Sequence, residues 1–225
     1  GKFNTNIYQT SGGLHGVGIS VVNALSDMVE VDVARNRQTW RQTYSQGKPT
    51  STLIHNEEPT NWRGTRIRFH PDPEIFDDIQ FKPSTLYKLA RAKAYLFKGV
   101  EINWVCDPGL LKDDKTPATA KLHYPGGLRN YLKDIVGDTP TAIEDFFAGE
   151  GNFINADGRV EWAVAWMADD SVEGWTSTFC NTIPTPQGGT HENGFRQALT
   201  RGLKDYAERI GNRKGAQITA DDVYG

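Results

Sequence analysis

Four glycines fall within seven residues, Gly12, Gly13, Gly16 and Gly18, and lead straight into the apolar stretch Val21-Val22-Asn23-Ala24-Leu25. Glycine reaches backbone conformations closed to other residues and lets the chain approach a ligand closely. A helix start adds unpaired N–H groups and a partial positive charge. A glycine-rich loop feeding a helix can therefore cradle phosphate, or it can simply cap the helix as a flexible loop. Two familiar phosphate loops are excluded. A Walker loop needs Ser or Thr after Gly-Lys, and Gly47-Lys48 is followed by Pro49. A dinucleotide fingerprint starting at Gly16 fails at Val21. What stands is G-x-x-G-x-G, from Gly13 through Gly16 to Gly18.

Periodicity organises the rest. Residues 1–16 read as a polar loop, and Val21, Ala24, Leu25 and Met28 share one face of a helix expected over 17–28. Val29, Val31 and Val33 alternate with Glu30 and Asp32, as in a half-buried strand. A turn at Arg35-Asn36-Arg37 leads to a strand over 39–44, and 47–63 reads as a variable connection. Ile67 and Phe69 mark a strand stopped by Pro71 and Pro73. A helix follows Pro83 with Leu86, Leu89, Ala90, Ala94 and Phe97 as its apolar set, and Gly99 closes it. Val100, Ile102, Trp104 and Cys106 then alternate. Residues 107–120 are turn-rich and polar. Beyond them come a strand near Leu122, a short helix through Leu128 and Ile135, strands around 160–166 and 175–183, and a long helix from Phe195 to Ile210. Strands and helices with mixed hairpins predict an α+β fold rather than a regular βαβ repeat.

The chain has 225 residues and a formal net charge of −3, so no global field draws it to nucleic acid. No apolar run approaches the ~20 residues that span a bilayer. The two cysteines have no metal-ligand spacing, and a buried reduced thiol at Cys106 fits a cytoplasmic setting. The chain lacks an initiator Met and begins inside a motif, which suggests a segment of a longer protein.

The segment Tyr8-Gln9-Thr10-Ser11-Gly12-Gly13-Leu14-His15-Gly16-Val17-Gly18-Ile19-Ser20-Val21-Val22-Asn23-Ala24-Leu25, preceded by Gly1-Lys2-Phe3, closely resembles the ATP lid of the ATPase subunits of bacterial type II DNA topoisomerases, members of the GHKL superfamily. The resemblance continues, in order, at Arg63-Gly64-Thr65 through Asp72, at Ala92–Leu96 with Gly99–Ile102, and at Ile183-Pro184-Thr185-Pro186-Gln187-Gly188-Gly189-Thr190-His191. It implies a partial GHKL (Bergerat) ATPase sandwich over 1–117, followed over 118–225 by the first part of a transducer domain like ribosomal protein S5 domain 2.

The resemblance also implies site residues. Gly13, Leu14, His15, Gly16, Val17, Gly18 and Ile19 would hold the triphosphate of ATP through backbone N–H groups, with Lys2 reaching the phosphates and Tyr8 near the nucleotide. Thr65 would bond towards adenine through water, and Arg35 would stand at the pocket mouth where inhibitors of the family bind. Arg196 would face the interior of the closed dimer as a possible DNA contact. Without the resemblance these residues are a loop charge, a packing tyrosine, a strand threonine and hairpin or helix charges. The family's general-base Glu, its Mg²⁺-binding Asn and its adenine-binding Asp match no position here and are expected upstream of residue 1, so no catalytic residue and no metal ligand is assigned. The implied cofactors are ATP and Mg²⁺. The implied partners are an A-type subunit that cleaves DNA, a second copy of the ATPase subunit, and double-stranded DNA, with no membrane. Segments 184–191 and 218–224 look more like the topoisomerase IV branch than the gyrase branch. Other GHKL proteins share a glycine lid but not the Ile183–His191 segment.

Overall fold

The computed structural model describes residues 17–113, 115–153, 158–169, 171 and 173–224. Contacts divide the chain into two units, Gly1–Lys82 and Pro83–Gly225. The boundary expected near residue 117 falls within the second unit, in the connection between two paired strands.

In the first unit, helix α1 (Gly18–Ala24) is shorter than the periodicity suggested. The Ser26 hydroxyl donates to the Val22 carbonyl at 2.6 Å, a bond that ties off the last turn. The chain then enters β1 (Ser26–Arg35), and Met28 joins the sheet instead of the helix face. A two-residue turn leads to β2 (Gln38–Ser45). Its residues Asn36 and Arg37 have φ of 54° and 63°, the left-handed pair that matches the twist of a tight hairpin. The segment read as a variable connection contains two short strands, β3 (Lys48–Pro49) and β4 (Ile54–Asn56), both paired with β2. β5 (Gly64–Pro71) closes an antiparallel sheet in the order β3-β2-β1-β5.

β1 is the central strand, and its burial follows the valine alternation at Val29, 1% exposed, but departs from it towards Arg35. Asp32 and Ala34 are each 2% exposed, whereas Val33 is 36% exposed. The reason lies in the partners. Asp32 stands opposite Arg41 on β2 and Arg66 on β5. Arg41 Nε lies 2.6 Å from Asp32 Oδ1, and Arg66 Nε 2.8 Å from Oδ2. The arginine stems cover the carboxylate, and its charge is matched where it is buried. Those bonds, led by Arg41, hold the Asp32 carboxyl below its usual range despite burial. Asp72, 1% exposed, pins the end of β5: it accepts from Gln46 Nε2 at 2.7 Å and from the Glu74 N–H at 2.9 Å.

The second unit begins with α2 (Pro83–Leu96) and the hairpin of β6 (Glu101–Val105) and β7 (Thr119–His123). Helix α3 (Leu128–Val136) follows. Its core centres on Tyr95, 1% exposed, which stacks on Tyr124 at 3.8 Å and meets Tyr131 edge-on at 4.8 Å. The Tyr95 hydroxyl donates to Asp134, and Arg91 bonds both groups. Strands β8 (Phe147–Asn152) and β9 (Arg159–Val164) pair antiparallel. The sequence reading missed β8 because Phe-Ala-Gly-Glu-Gly-Asn lacks β-branched residues. A Cβ at its Gly149 would stand 2.6 Å from the Trp162 ring on β9. The strand expected over 175–183 is instead a two-residue-per-side hairpin of β10 (Phe179–Cys180) and β11 (Ile183–Pro184). Lys93 of α2 anchors its turn, donating to the Thr182 carbonyl at 2.7 Å and hydroxyl at 2.8 Å. Helix α4 (Thr190–Arg209) is followed by a 3-10 turn (Arg213–Gln217) and α5 (Ala220–Tyr224). Cys106 is half-buried rather than buried, Cys180 is exposed, and both are free thiols.

Two outcomes are expected from these contacts. The Asp32 pKa is depressed by folding, so its stabilisation is present above the unfolded value of 3.8 and is lost as pH falls below it. Asp32→Asn is expected to lower stability by about 1–3 kcal/mol at neutral pH. In urea midpoints that deficit should shrink between about pH 5 and pH 2. A Cβ at Gly215 would stand 2.1 Å from Ala207 Cβ, so the 3-10 turn docks on α4 only with a glycine there. Gly215→Ala should cost about 1–3 kcal/mol by thermal melting, and adding Ala207→Gly should recover part of it.

Candidate functional site

In the first unit the register assembles one face of the sheet from alternate residues. Val33 lies opposite Thr65, Val31 opposite Ile67 and Val29 opposite Phe69. Arg35 is two residues beyond Val33 on the same face, at the end of β1. The structure therefore brings Arg35 and Thr65 to the same end and the same face of the sheet, both exposed. Val33, Ile67 and Phe69 are 36%, 43% and 41% exposed whereas Val29 is buried, so the face is apolar and partly open, with Thr65 and Arg35 at its exposed end. Phe81 meets Phe69 edge-on at 5.7 Å at the far end of the face. An apolar floor with few polar groups is the usual make-up of a small-molecule site.

Val17, Gly18 and Ile19 form the start of α1. Val17 is the N-cap, and no side chain caps the helix there. The first intrahelical bond runs from the Val21 N–H to the Val17 carbonyl at 2.9 Å. The N–H groups before Val21 thus have no intrahelical partner. Among the described residues nothing lies within 4 Å of where a Gly18 Cβ would be, so they leave this backbone open to approach. Lys2, Tyr8, Gly13, Leu14, His15 and Gly16 lie outside the described residues.

The opposite face carries a feature that sequence reasoning passed over. A cavity of about 740 Å³ is lined by Asp32, Arg41, Arg66, Ile54, Trp62 and neighbours. Arg66 packs over the Trp62 ring at 5.7 Å. Only the cross-strand register joins these residues, and a linear pattern does not display it.

In the second unit Arg196 stands on α4 but is not a free surface cation. It is ion-paired to Glu192 at 2.9 Å, bonded to the Thr176 hydroxyl at 2.9 Å, and 4.4 Å from the centre of the Tyr224 ring. A groove of about 540 Å³ beside it is lined by Thr200, Arg201, Lys204 and Tyr224 among others. Thr190 and His191, which end the Ile183–His191 segment, are the first two residues of α4. The N-cap is Gly189 without a side-chain bond, and His191 Nε2 lies 3.2 Å from Thr185 Oγ1. Among the described residues no group of three His, Cys, Asp or Glu side chains is placed to hold a metal ion. No described helix is long and apolar enough to cross a membrane.

Residues 127–225 match the family model for DNA gyrase B. Over 99% of its length the chain is 51% identical to the B subunit of DNA topoisomerase 4 from Bartonella bacilliformis and 50% identical to that from Caulobacter vibrioides. It spans 32% of the length of each. Among solved structures it is similar to the 43K ATPase domain of Thermus thermophilus gyrase B in complex with an aminocoumarin. There the TM-score is 0.69 at 32% identity, covering 88% of this chain and 51% of that one. It is likewise similar to the topoisomerase IV ATP-binding domain of Francisella tularensis in complex with a small-molecule inhibitor. That match has a TM-score of 0.68 at 30% identity and covers 94% of this chain and 56% of that one. The fold is the mixed helix-and-sheet arrangement of those ATPase domains. Identity of this depth across nearly every residue, joined to that fold, places the chain in the family of gyrase B and topoisomerase IV B subunits.

Proposed function

We propose that this chain is the lid-bearing part of the ATP-binding subunit of a type II DNA topoisomerase of the topoisomerase IV kind. The whole enzyme passes one duplex through another by ATP-driven clamping, relaxing and decatenating DNA. The single observation that carries the reading is 51% identity to a topoisomerase 4 B subunit along 99% of the chain. The geometry of the first unit fits a nucleotide. An uncapped helix start, left open at Gly18 by the described residues, suits phosphate oxygens. A partly open apolar face with Thr65 at its exposed end suits a planar base.

In this reading Gly13, Leu14, His15, Gly16, Val17, Gly18 and Ile19 hold the triphosphate through backbone N–H groups. Lys2 adds a charge, and Tyr8 lies beside the nucleotide. Thr65 fixes the adenine edge, and Arg35 guards the mouth. ATP supplies the phosphoanhydride bond whose cleavage resets the clamp. This chain contributes binding and orientation, and the general base and the Mg²⁺ ligand are not assigned to it. The glycine segment is the part of the switch that answers to the γ-phosphate. Its closure favours pairing of two ATP-binding subunits around a DNA segment, while an A-type subunit cuts the second duplex. Residues up to about 117 belong to the ATP-binding domain and the remainder to the transducer domain, where Arg196 meets the captured DNA in a cytoplasmic enzyme.

The intact subunit with its A-type partner, ATP and relaxed circular DNA tests the assignment. Unlinking of catenated circles without negative supercoiling is expected. Appearance of negative supercoils would make it a gyrase subunit instead. Arg196→Gln in the same assembly should weaken DNA stimulation of ATP hydrolysis and reduce its salt slope by about 1. An unchanged stimulation ratio would remove Arg196 from the DNA path.

A further inference from the structure

We infer that Tyr224 is a positioning residue for Arg196, holding its guanidinium with one edge turned outward for a phosphate of double-stranded DNA. The inference rests on the reading in which Arg196 meets DNA. Its content is a division of labour around that side chain. Arg196 Nε lies 3.0 Å from Glu192 Oε1, and Nη2 lies 2.9 Å from the same oxygen. Nη2 also donates to the Thr176 hydroxyl at 2.9 Å. Among the described residues Nη1 has no hydrogen-bond partner, so its two N–H groups remain for an incoming anion. Glu192 is in the first turn of α4, where the helix dipole favours a carboxylate and helps keep this clamp in place.

The Tyr224 ring supplies the remaining constraint. Its centre lies 4.4 Å from Arg196 Cζ, close enough for the cation to sit against the ring face. The ring is itself secured. Trp166 Nε1 donates to the Val223 carbonyl at 3.2 Å, and Asp222 accepts from the Thr219 N–H and hydroxyl, each at 2.7 Å, capping α5. The Tyr224 hydroxyl is buried with no hydrogen-bond partner among the described residues. The nearby Thr200 side chain makes at most a poorly aligned contact with it, so the ring face against Arg196 is the well-formed interaction of this residue. A free arginine side chain carries about 2 kcal/mol of rotamer entropy. A side chain already fixed in its working orientation loses less of it when a partner arrives. Arg201 and Lys204 line the same groove together with Asp205 and Asp221, so the groove is of mixed charge and the fixed guanidinium is one of its three cations.

The test uses the intact subunit with its A-type partner. The readout is the DNA concentration that gives half-maximal stimulation of ATP hydrolysis, taken across salt concentrations. Tyr224→Leu should raise that concentration about 3-fold, the worth of a half-exposed cation–π contact, and flatten the salt slope. Tyr224→Phe keeps the ring face and should stay within about 1.5-fold of the parent. In an Arg196→Gln background, Tyr224→Leu should add nothing. Thermal midpoints establish that each variant folds, and Tyr224→Met replaces the leucine variant if that one does not. A parental value for Tyr224→Leu overturns the inference. So does an equal loss with Arg196 present or absent, which would mark Tyr224 as structural only. A parental value for Arg196→Gln itself fails the DNA reading and takes this inference with it. That result is distinct from one in which Arg196→Gln is impaired and Tyr224→Leu is not.

Discussion

Much of the first unit hangs on one buried carboxylate. Asp32 sits on the central strand between Arg41 and Arg66, its cross-strand neighbours on either side. Side chains alternate faces along a strand, so a slip of one residue would turn Asp32 to the other face and leave both guanidiniums without it. The clamp therefore fixes three strands to one another. It also decides which residues share the opposite face. With Asp32, Arg41 and Arg66 on one side, Val33, Thr65, Ile67 and Arg35 must lie on the other. A charge cluster far from any phosphate thus sets the row on which the nucleotide reading depends.

The second unit uses a different principle. Its centre is aromatic, with Tyr95 between Tyr124 and Tyr131. Burial and the Asp134 hydrogen bond push the Tyr95 phenol above its usual range, so it remains a neutral donor. Stacking supplies area, and the Asp134 and Arg91 bonds satisfy the one polar atom that burial would otherwise strand. Lys93, two residues before Tyr95 on the same helix, has neutral acceptors only, and burial lowers its pKa accordingly. Its two bonds to Thr182 tie α2 to a hairpin turn that contains two residues in the left-handed region, Asn181 and Thr182.

The sequence announced most elements and concealed most relations among them. Valine alternation located β1, and Pro83 with Gly99 bracketed α2. Alternation did not say which face would be buried. Of the valine row Val29 is buried and Val33 is not, and the acidic Asp32 on the other face is buried as well, because two arginines from distant strands converge on it. β8 was invisible because close packing of Gly149 against Trp162 replaces the usual β-branched signal. The helix at 17–28 was overdrawn because apolar spacing continues through Met28, whereas the Ser26 bond to Val22 ends it. Thr65 and Arg35 were singled out by resemblance alone, and the register then placed them at one end of one face. The setting of Arg196 was not legible, since Tyr224 lies 28 positions further along the chain.

Helix α1 buries none of its side chains. It is held by a few bonds at its ends, from Ser26 to Val22 and from the Gly47 N–H to the Asn23 carbonyl at 3.0 Å. Protection from solvent exchange follows buried packing rather than helicity as such. The amides of α1 should thus belong to the lowest-energy opening of the unit, while those of β1, beginning at Ser26, belong to its most protected part. The chain thus passes within two residues from a helix with no buried side chain to a strand that opens on the buried Ser26, so the cost of opening rises steeply across that one step.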